Sequence, residues 1–180
     1  MKNFRADILI AVCALLVSGF ATVASWWQTR VVAQQLSAQV WPYVNVGLTY
    51  GPKQIIISAD NDGLGPAVVR WLVFTVDGRP KRSFAEVQRA LAPGSRGRSS
   101  WISELARGSV IKVGGSVQLL RVEDPALLRP LEHGLPRLDV QTCYCSILSN
   151  CWIASIRNAE PRAVQTCPDR ANDEFHVPIG

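Results

Sequence analysis

The sequence has none of the short signatures by which catalytic sites announce themselves. It contains no G-x-S-x-G nucleophile elbow and no H-E-x-x-H zinc helix. The glycine pair in Gly63-Leu64-Gly65 runs straight into Pro66, which has no amide proton to give a phosphate, so a phosphate-binding loop is excluded there. Histidine is scarce: His133 and His176 stand far apart, and neither falls in a Cys/His ligand spacing. There is no internal repeat and no low-complexity tract. Acids such as Glu123, Asp124 and Glu132 could meet in space as a hydrolytic pair, but any surface offers such pairs. The residues therefore point away from an enzyme, and to no cofactor and no metal.

What the chain does have is an uncharged run over residues 8–27, ILIAVCALLVSGFATVASWW, long enough to cross a bilayer as one helix. Lys2 and Arg5 precede it, and positive residues stay on the cytoplasmic side, so residues 1–7 are expected in the cytoplasm and the rest outside it. Trp26 and Trp27 close the run where indoles favour the headgroup layer, marking the membrane interface. A cleaved signal peptide is the competing reading, since Ala21 to Ser25 are small. Cleaved signals have apolar cores of roughly 7–15 residues, which favours an uncleaved anchor. Cys13 reads as a small residue of the span.

Outside the anchor lie about 150 residues, enough for one well-packed domain. Four of the five cysteines fall in this part, at Cys143, Cys145, Cys151 and Cys167. An even number in a compartment where disulfides persist implies two structural bridges. Between Arg70 and Arg121 ten basic residues stand against Asp77, Glu86 and Glu104. That excess could dock on anionic headgroups or an acidic partner, but it is scattered among apolar residues, as on a solvated surface. Nucleic acid is not an expected partner outside a membrane.

Residues 28–40 lack Gly and Pro and space Val31, Val32, Leu36 and Val40 as a helix does, so a helical stalk over 28–41 should end at Pro42. Its apolar spacing could support self-association. Beyond it the texture is short β-rich segments: 43–50, 54–59 and the strong candidate 67–76, which closes at the turn pair Asp77-Gly78. The intervening Asn61, Gly63, Gly65 and Pro66 mark a conformationally special loop, with positive φ expected at Gly63 or Gly65. Ser83 with Glu86 predicts a capping box opening a helix over 83–91. Residues 92–100 read as a polar loop, and 101–105 fit no single pattern. Residues 109–113 and 117–122 read as two strands, or one broken strand, around Gly114-Gly115. Pro125 suits the first turn of a second helix, 126–132. Residues 137–147 and 152–157 form a final hairpin, and 158–180 read as a polar tail.

Strand alternation makes that hairpin specific. With Cys145 opposite Cys151, Tyr144 faces Trp152, Thr142 faces Ala154 and Val140 faces Ile156, which puts an apolar set on one side. The cysteines take the other side, where Cys145 can bridge to Cys151 and leave Cys143 for Cys167, pinning the tail. Pairing Cys143 with Cys151 and Cys145 with Cys167 needs a diagonal bridge and remains open. A thiol-redox site is the functional alternative, although exchange-active pairs use C-x-x-C at a helix start and Cys143-Tyr144-Cys145 lies on a strand.

Taken in order, the anchor, WPYV at Trp41 to Val44, NDGLGPA at Asn61 to Ala67 and CYCSILSNCW at Cys143 to Trp152 resemble a class of bacterial single-pass membrane-anchored proteins of unknown function with an extracytoplasmic immunoglobulin-like β domain. The resemblance covers most of the chain. It implies an antiparallel immunoglobulin-like β-sandwich with short helices over 42–157, and it supplies no substrate, cofactor or catalytic residue. The combined expectation is a bacterial inner-membrane protein, held in the lipid bilayer through residues 8–27. Its periplasmic domain would be an interaction or scaffold module for another envelope protein. A thiol-redox protein and a membrane-anchored envelope hydrolase are the alternatives.

Overall fold

The computed structural model describes residues 2–95, 105–173 and 175, so much of the segment read as a polar loop and the ambiguous 101–104 lie outside the described residues. The chain divides into two compact units, Met1–Gln39 and Val40–Gly180.

The first unit is one helix, α1 (Lys2–Gln39). Its stretch Asp7–Gln39 is long and apolar enough to cross a membrane by length and composition, and none of it is buried within the chain. Three hydroxyls in this stretch donate back along the helix: Ser18 to the Leu15 carbonyl at 2.9 Å, Thr22 to Ser18 at 2.8 Å and Thr29 to Ser25 at 2.9 Å. Such back-bonding satisfies a hydroxyl without water, as an apolar medium requires. Arg30 lies 4.0 Å over the ring of Trp26. The helix stops at Gln39, two residues short of Trp41, where the stalk was expected to end.

The second unit is built from two antiparallel sheets. One comprises β1 (Val44–Gly51), β2 (Gln54–Asn61) and β6 (Ser116–Val122), in the order β1-β2-β6. In the other, β3 (Ala67–Val76) pairs with β4 (Arg79–Lys81), β5 (Val110–Ile111) and β7 (Leu138–Cys145). From β7 this sheet continues through β8 (Cys151–Ser155) to β9 (Asn158–Val164). The segments around Gly114-Gly115 are thus two strands in different sheets. The Asp77-Gly78 turn joins β3 to β4, with φ of 52° and 74° at its two residues, as a two-residue hairpin demands.

Side-chain alternation decides what each sheet buries. Along β2, Ile55, Ile57, Ala59 and Asn61 are buried while the residues between them are partly open. The first three join Val44 and Val46 of β1 and Val69, Leu72, Phe74, Val140 and Tyr144 of the second sheet in one apolar core. Two helices add to it: α2 (Phe84–Leu91) through Val87 and Leu91, and α3 (Pro125–Gly134) through Leu127, Leu128 and Leu131. Pro125 opens α3, and the Asp124 side chain caps it by accepting from the Ala126 amide at 2.9 Å. At α2 the expected capping box does not form, because Glu86 reaches one residue past the N-cap Ser83. Glu86 accepts from the Arg82 amide at 3.0 Å, and the Ser83 hydroxyl makes no cap bond.

Two features depart from the strand reading. β3 carries a bulge between Val69 and Trp71, so Arg70 has no partner on β7 and the alternation changes phase. Before the bulge Ala67 and Val69 face the main core; after it Leu72, Phe74 and Val76 do, while Trp71 and Val73 form a second cluster with Cys143 on the opposite face. The polar tail is also more than a tail. Residues 158–164 form the edge strand β9, where Pro161 is tolerated, and Phe175 returns to the main core, 4.6 Å from the Phe74 ring.

Tyr144 links the sheets: fully buried on β7, it stacks on Trp152 at 5.9 Å, and its hydroxyl accepts from the Val44 amide of β1 at 3.1 Å. Burial pushes its phenol up from 10.0 to about 12, with the Val44 hydrogen bond pulling slightly the other way. The unfolded chain releases this proton near 10.0 and the folded chain holds it to about 12. Stability is therefore complete below the lower value and falls as pH rises through the window between them. Urea unfolding of the protein in detergent should show this alkaline loss. Tyr144→Phe should make it shallower, at a cost of about 1–3 kcal/mol for the orphaned Val44 amide.

Candidate functional site

The bulge in β3 and the cysteines of β7 and β8 sit at the same place. β7 and β8 pair with Cys145 opposite Cys151, Tyr144 opposite Trp152 and Thr142 opposite Ala154, the register that alternation predicts. Cys145 is bonded to Cys151 directly across the strands, with Cα atoms 4.0 Å apart. Cys143 is bonded to Cys167, with a Cα separation of 5.9 Å. Cys143 is fully buried beneath Trp71 and Val73, and Cys167 packs on this cluster from the chain beyond β9. That chain is held at a second point, where the Trp71 indole donates to the Pro168 carbonyl at 2.9 Å. Beneath it, the buried Thr142 hydroxyl donates to the Trp71 carbonyl at 3.0 Å, giving the bulged backbone's carbonyl a donor.

A cavity of about 450 Å³ opens against this construction. Cys145, Cys151 and Cys167 line it, together with Arg70, Arg107 and Thr166. The bulge re-aims Arg70: without an opposing residue on β7, its side chain leaves the sheet and is exposed at the cavity. Sulfurs of the two separate disulfides approach closely, with Cys145 Sγ and Cys167 Sγ 3.8 Å apart. The sulfurs of Cys145, Cys151 and Cys167 all lie within 4.8 Å of one another. A trio of thiolates at this spacing could grip a soft metal ion, but with both bonds formed none of the three is a thiolate.

A second cluster surrounds Asn61. The period of β2 drives this polar side chain into the core-facing row, where each of its hydrogen-bonding groups must find a partner. Its Oδ1 accepts from the amides of Tyr43 at 3.2 Å and Gly63 at 3.1 Å. Its Nδ2 donates to the carbonyls of Gly65 at 2.9 Å, Ile111 at 3.0 Å and Lys112 at 3.3 Å. The loop folds over the segment entering the unit: Leu64 and Gly65 donate to the Trp41 carbonyl at 2.9 and 3.2 Å, and Asp62 to Tyr43 at 2.9 Å. The expected positive φ is absent at Gly63 and Gly65; among the described residues the glycines with that conformation are Gly78, Gly94, Gly108 and Gly114. What demands glycine is close approach. A Cβ on Gly63 would overlap the backbone of Trp41, Pro42 and Tyr43, and one on Gly65 the backbone of Val40. Pro66 follows half-buried, and β3 begins one residue later. The cluster is a structural clasp.

The remaining sequence candidates are dispersed among the described residues. Trp26 and Trp27 lie on α1, both exposed. Glu123 pairs with Arg121 at 2.6 Å, Asp124 caps α3, and neither borders the cavity, nor do Glu132 and His133. Sequence reasoning missed Arg70 and Arg107 as cavity residues. The one available signal was a charge interrupting the apolar run of β3. No family model, curated protein or solved structure matches the chain.

Proposed function

We propose that the chain is a single-pass protein of the bacterial inner membrane, with a cytoplasmic N-terminus and a periplasmic immunoglobulin-like β-sandwich that acts as a non-catalytic interaction or scaffold module. The observation that carries this reading is an apolar helix unburied within its own chain, followed in sequence by a disulfide-bonded unit of two antiparallel sheets. Disulfides persist in oxidising compartments, and the basic N-terminal flank favours an orientation that puts the cysteines there. Two sheets contributing one core support the sandwich. Its partner is another envelope protein, or a second copy joined through residues 28–39 of α1. The resemblance to single-pass anchored proteins agrees with this reading and adds no activity to it.

A reporter that is active only outside the cytoplasm, fused after Gly180, should be active, and the protein in membranes should retain residues 1–27. An inactive fusion would reverse the orientation, and a mature product beginning near Trp26 would make the helix a cleaved signal. Crosslinking in native membranes followed by affinity purification separates the functional readings. A stoichiometric envelope partner whose capture is lost with surface substitutions supports a scaffold, whereas purified protein that turns over a substrate overturns it.

A further inference from the structure

The two disulfides meet more closely than crosslinking alone requires. Each bond would hold its segments together at any distance from the other, yet Cys145 Sγ lies 3.8 Å from Cys167 Sγ, in contact across the gap between the bonds. Three of the four sulfur-bearing residues, Cys145, Cys151 and Cys167, open on a cavity, and only Cys143 is sealed in the apolar cluster. Arg70 and Arg107 stand on the same cavity against one acid, Asp169, so the place where a sulfur could leave as an anion carries an excess of cations. Thiolates are stabilised beside arginine and destabilised in apolar surroundings. The cavity therefore favours cleavage of Cys145–Cys151 over cleavage of the bond whose one end is buried.

We propose that the cavity is a thiol–disulfide exchange site, accepting two electrons from a small or protein-borne dithiol, in which Cys145 relays the exchange to Cys167. One thiolate of the dithiol attacks Cys151 Sγ; a new S–S bond forms, the Cys145–Cys151 bond breaks, and Cys145 leaves as a thiolate. The second thiolate of the dithiol then attacks its own mixed disulfide and releases Cys151. The dithiol is oxidised to a disulfide, and the Cys145–Cys151 pair is reduced. Cys145 thiolate next attacks Cys167 Sγ, forming Cys145–Cys167 and expelling Cys143. The two protons given up by the dithiol finish on Cys151 and Cys143. A neutral Cys143 thiol suits its apolar site. Displacement needs the attacking sulfur in line with the bond it breaks, so Cys145, freed by the first step, rotates about its side chain to approach Cys167 opposite Cys143 across the 3.8 Å between them. The outcome is a tail that stays tethered through reduction, moved from one β7 cysteine to the other on that strand.

This inference goes beyond the scaffold reading, since a stoichiometric exchange asks for no turnover. The test takes the full-length protein in detergent, treats it with limiting dithiothreitol, quenches with acid, alkylates and maps the peptides. The expected species has Cys143 and Cys151 alkylated and Cys145 linked to Cys167. In Cys151→Ser, where Cys145 begins without a partner, the same new link should form without any reductant, with Cys143 free. A reduced wild-type protein containing no Cys145–Cys167 link overturns the relay even if the variant fails to fold. A mixture in which Cys143–Cys151 or Cys143–Cys145 is equally abundant also overturns it, because that is the pattern of scrambling in an unfolded chain. Arg70→Gln and Arg107→Gln should slow reduction several-fold with dithiothreitol and with glutathione alike, because both reductants expel the same Cys145 thiolate. Rates unchanged with both reductants would remove the arginines from the site.

Discussion

Asn61→Ala is expected to cost the second unit about 3–5 kcal/mol, because one substitution strips partners from several buried backbone groups at once. The amides of Tyr43 and Gly63 lose their acceptor, and the carbonyls of Gly65 and Ile111 lose their donor. Each buried group left unpaired costs about 1–3 kcal/mol, and these sit in a well-packed region where water cannot restore them all. Asn61→Asp is the sharper variant. It keeps the shape but replaces the donating Nδ2 by an oxygen facing the carbonyls of Gly65, Ile111 and Lys112, so it should destabilise at least as much as alanine. Asp62→Ala, at the exposed neighbouring position, serves as control and should stay within about 0.5 kcal/mol. The measurement is the urea midpoint of the protein in detergent, followed by near-ultraviolet circular dichroism of the packed Trp71 and Tyr144. Midpoints for Asn61→Ala and Asp62→Ala that coincide would show that the clasp contributes nothing.

The second large effect belongs to Gly65 and Gly63, and its size discriminates between two reasons for a glycine. Gly65→Ala should destabilise by about 2–3 kcal/mol, because the new methyl meets the Val40 backbone and no flexible side chain stands there to yield. Gly63→Ala should behave similarly against Trp41, Pro42 and Tyr43. Gly78→Ala supplies the contrast. Its φ is 74° and the space around it is open, so only backbone strain is paid, about 1 kcal/mol. An order in which Gly78→Ala is the most damaging would contradict the close approach of the 61–66 loop to residues 40–43. The same experiment tests whether the loop clamps that segment or merely borders it.

Much of this protein is periodic, and periodicity is what a sequence displays. The uncharged run predicts α1 because length and apolarity are local properties. The alternation of β2, β7 and β8 predicts their faces, and the six-residue spacing of Cys145 and Cys151 predicts their opposition, because in an antiparallel pair one register determines all the others. Asn61, Gly63 and Gly65 stand out as a special loop by composition alone. Their reason was not legible, since close approach involves residues 40–43, some twenty positions away, whereas positive φ is a local inference.

Tertiary structure decided the rest. β9 has the composition of a tail and becomes a strand because β8 offers it an open edge. The bulge at Arg70 changes the phase of β3, so that Trp71 faces outward with Cys143 and Arg70 reaches the cavity; no count of alternating residues contains that step. The 3.8 Å contact between Cys145 and Cys167 likewise depends on where the chain beyond β9 comes to rest, held by Trp71 at Pro168 and by Phe175 in the core. A sequence specifies which face a residue takes and which partners are near it along the strand. It does not specify which distant segment closes over that face, because that choice is made by packing summed over the whole fold.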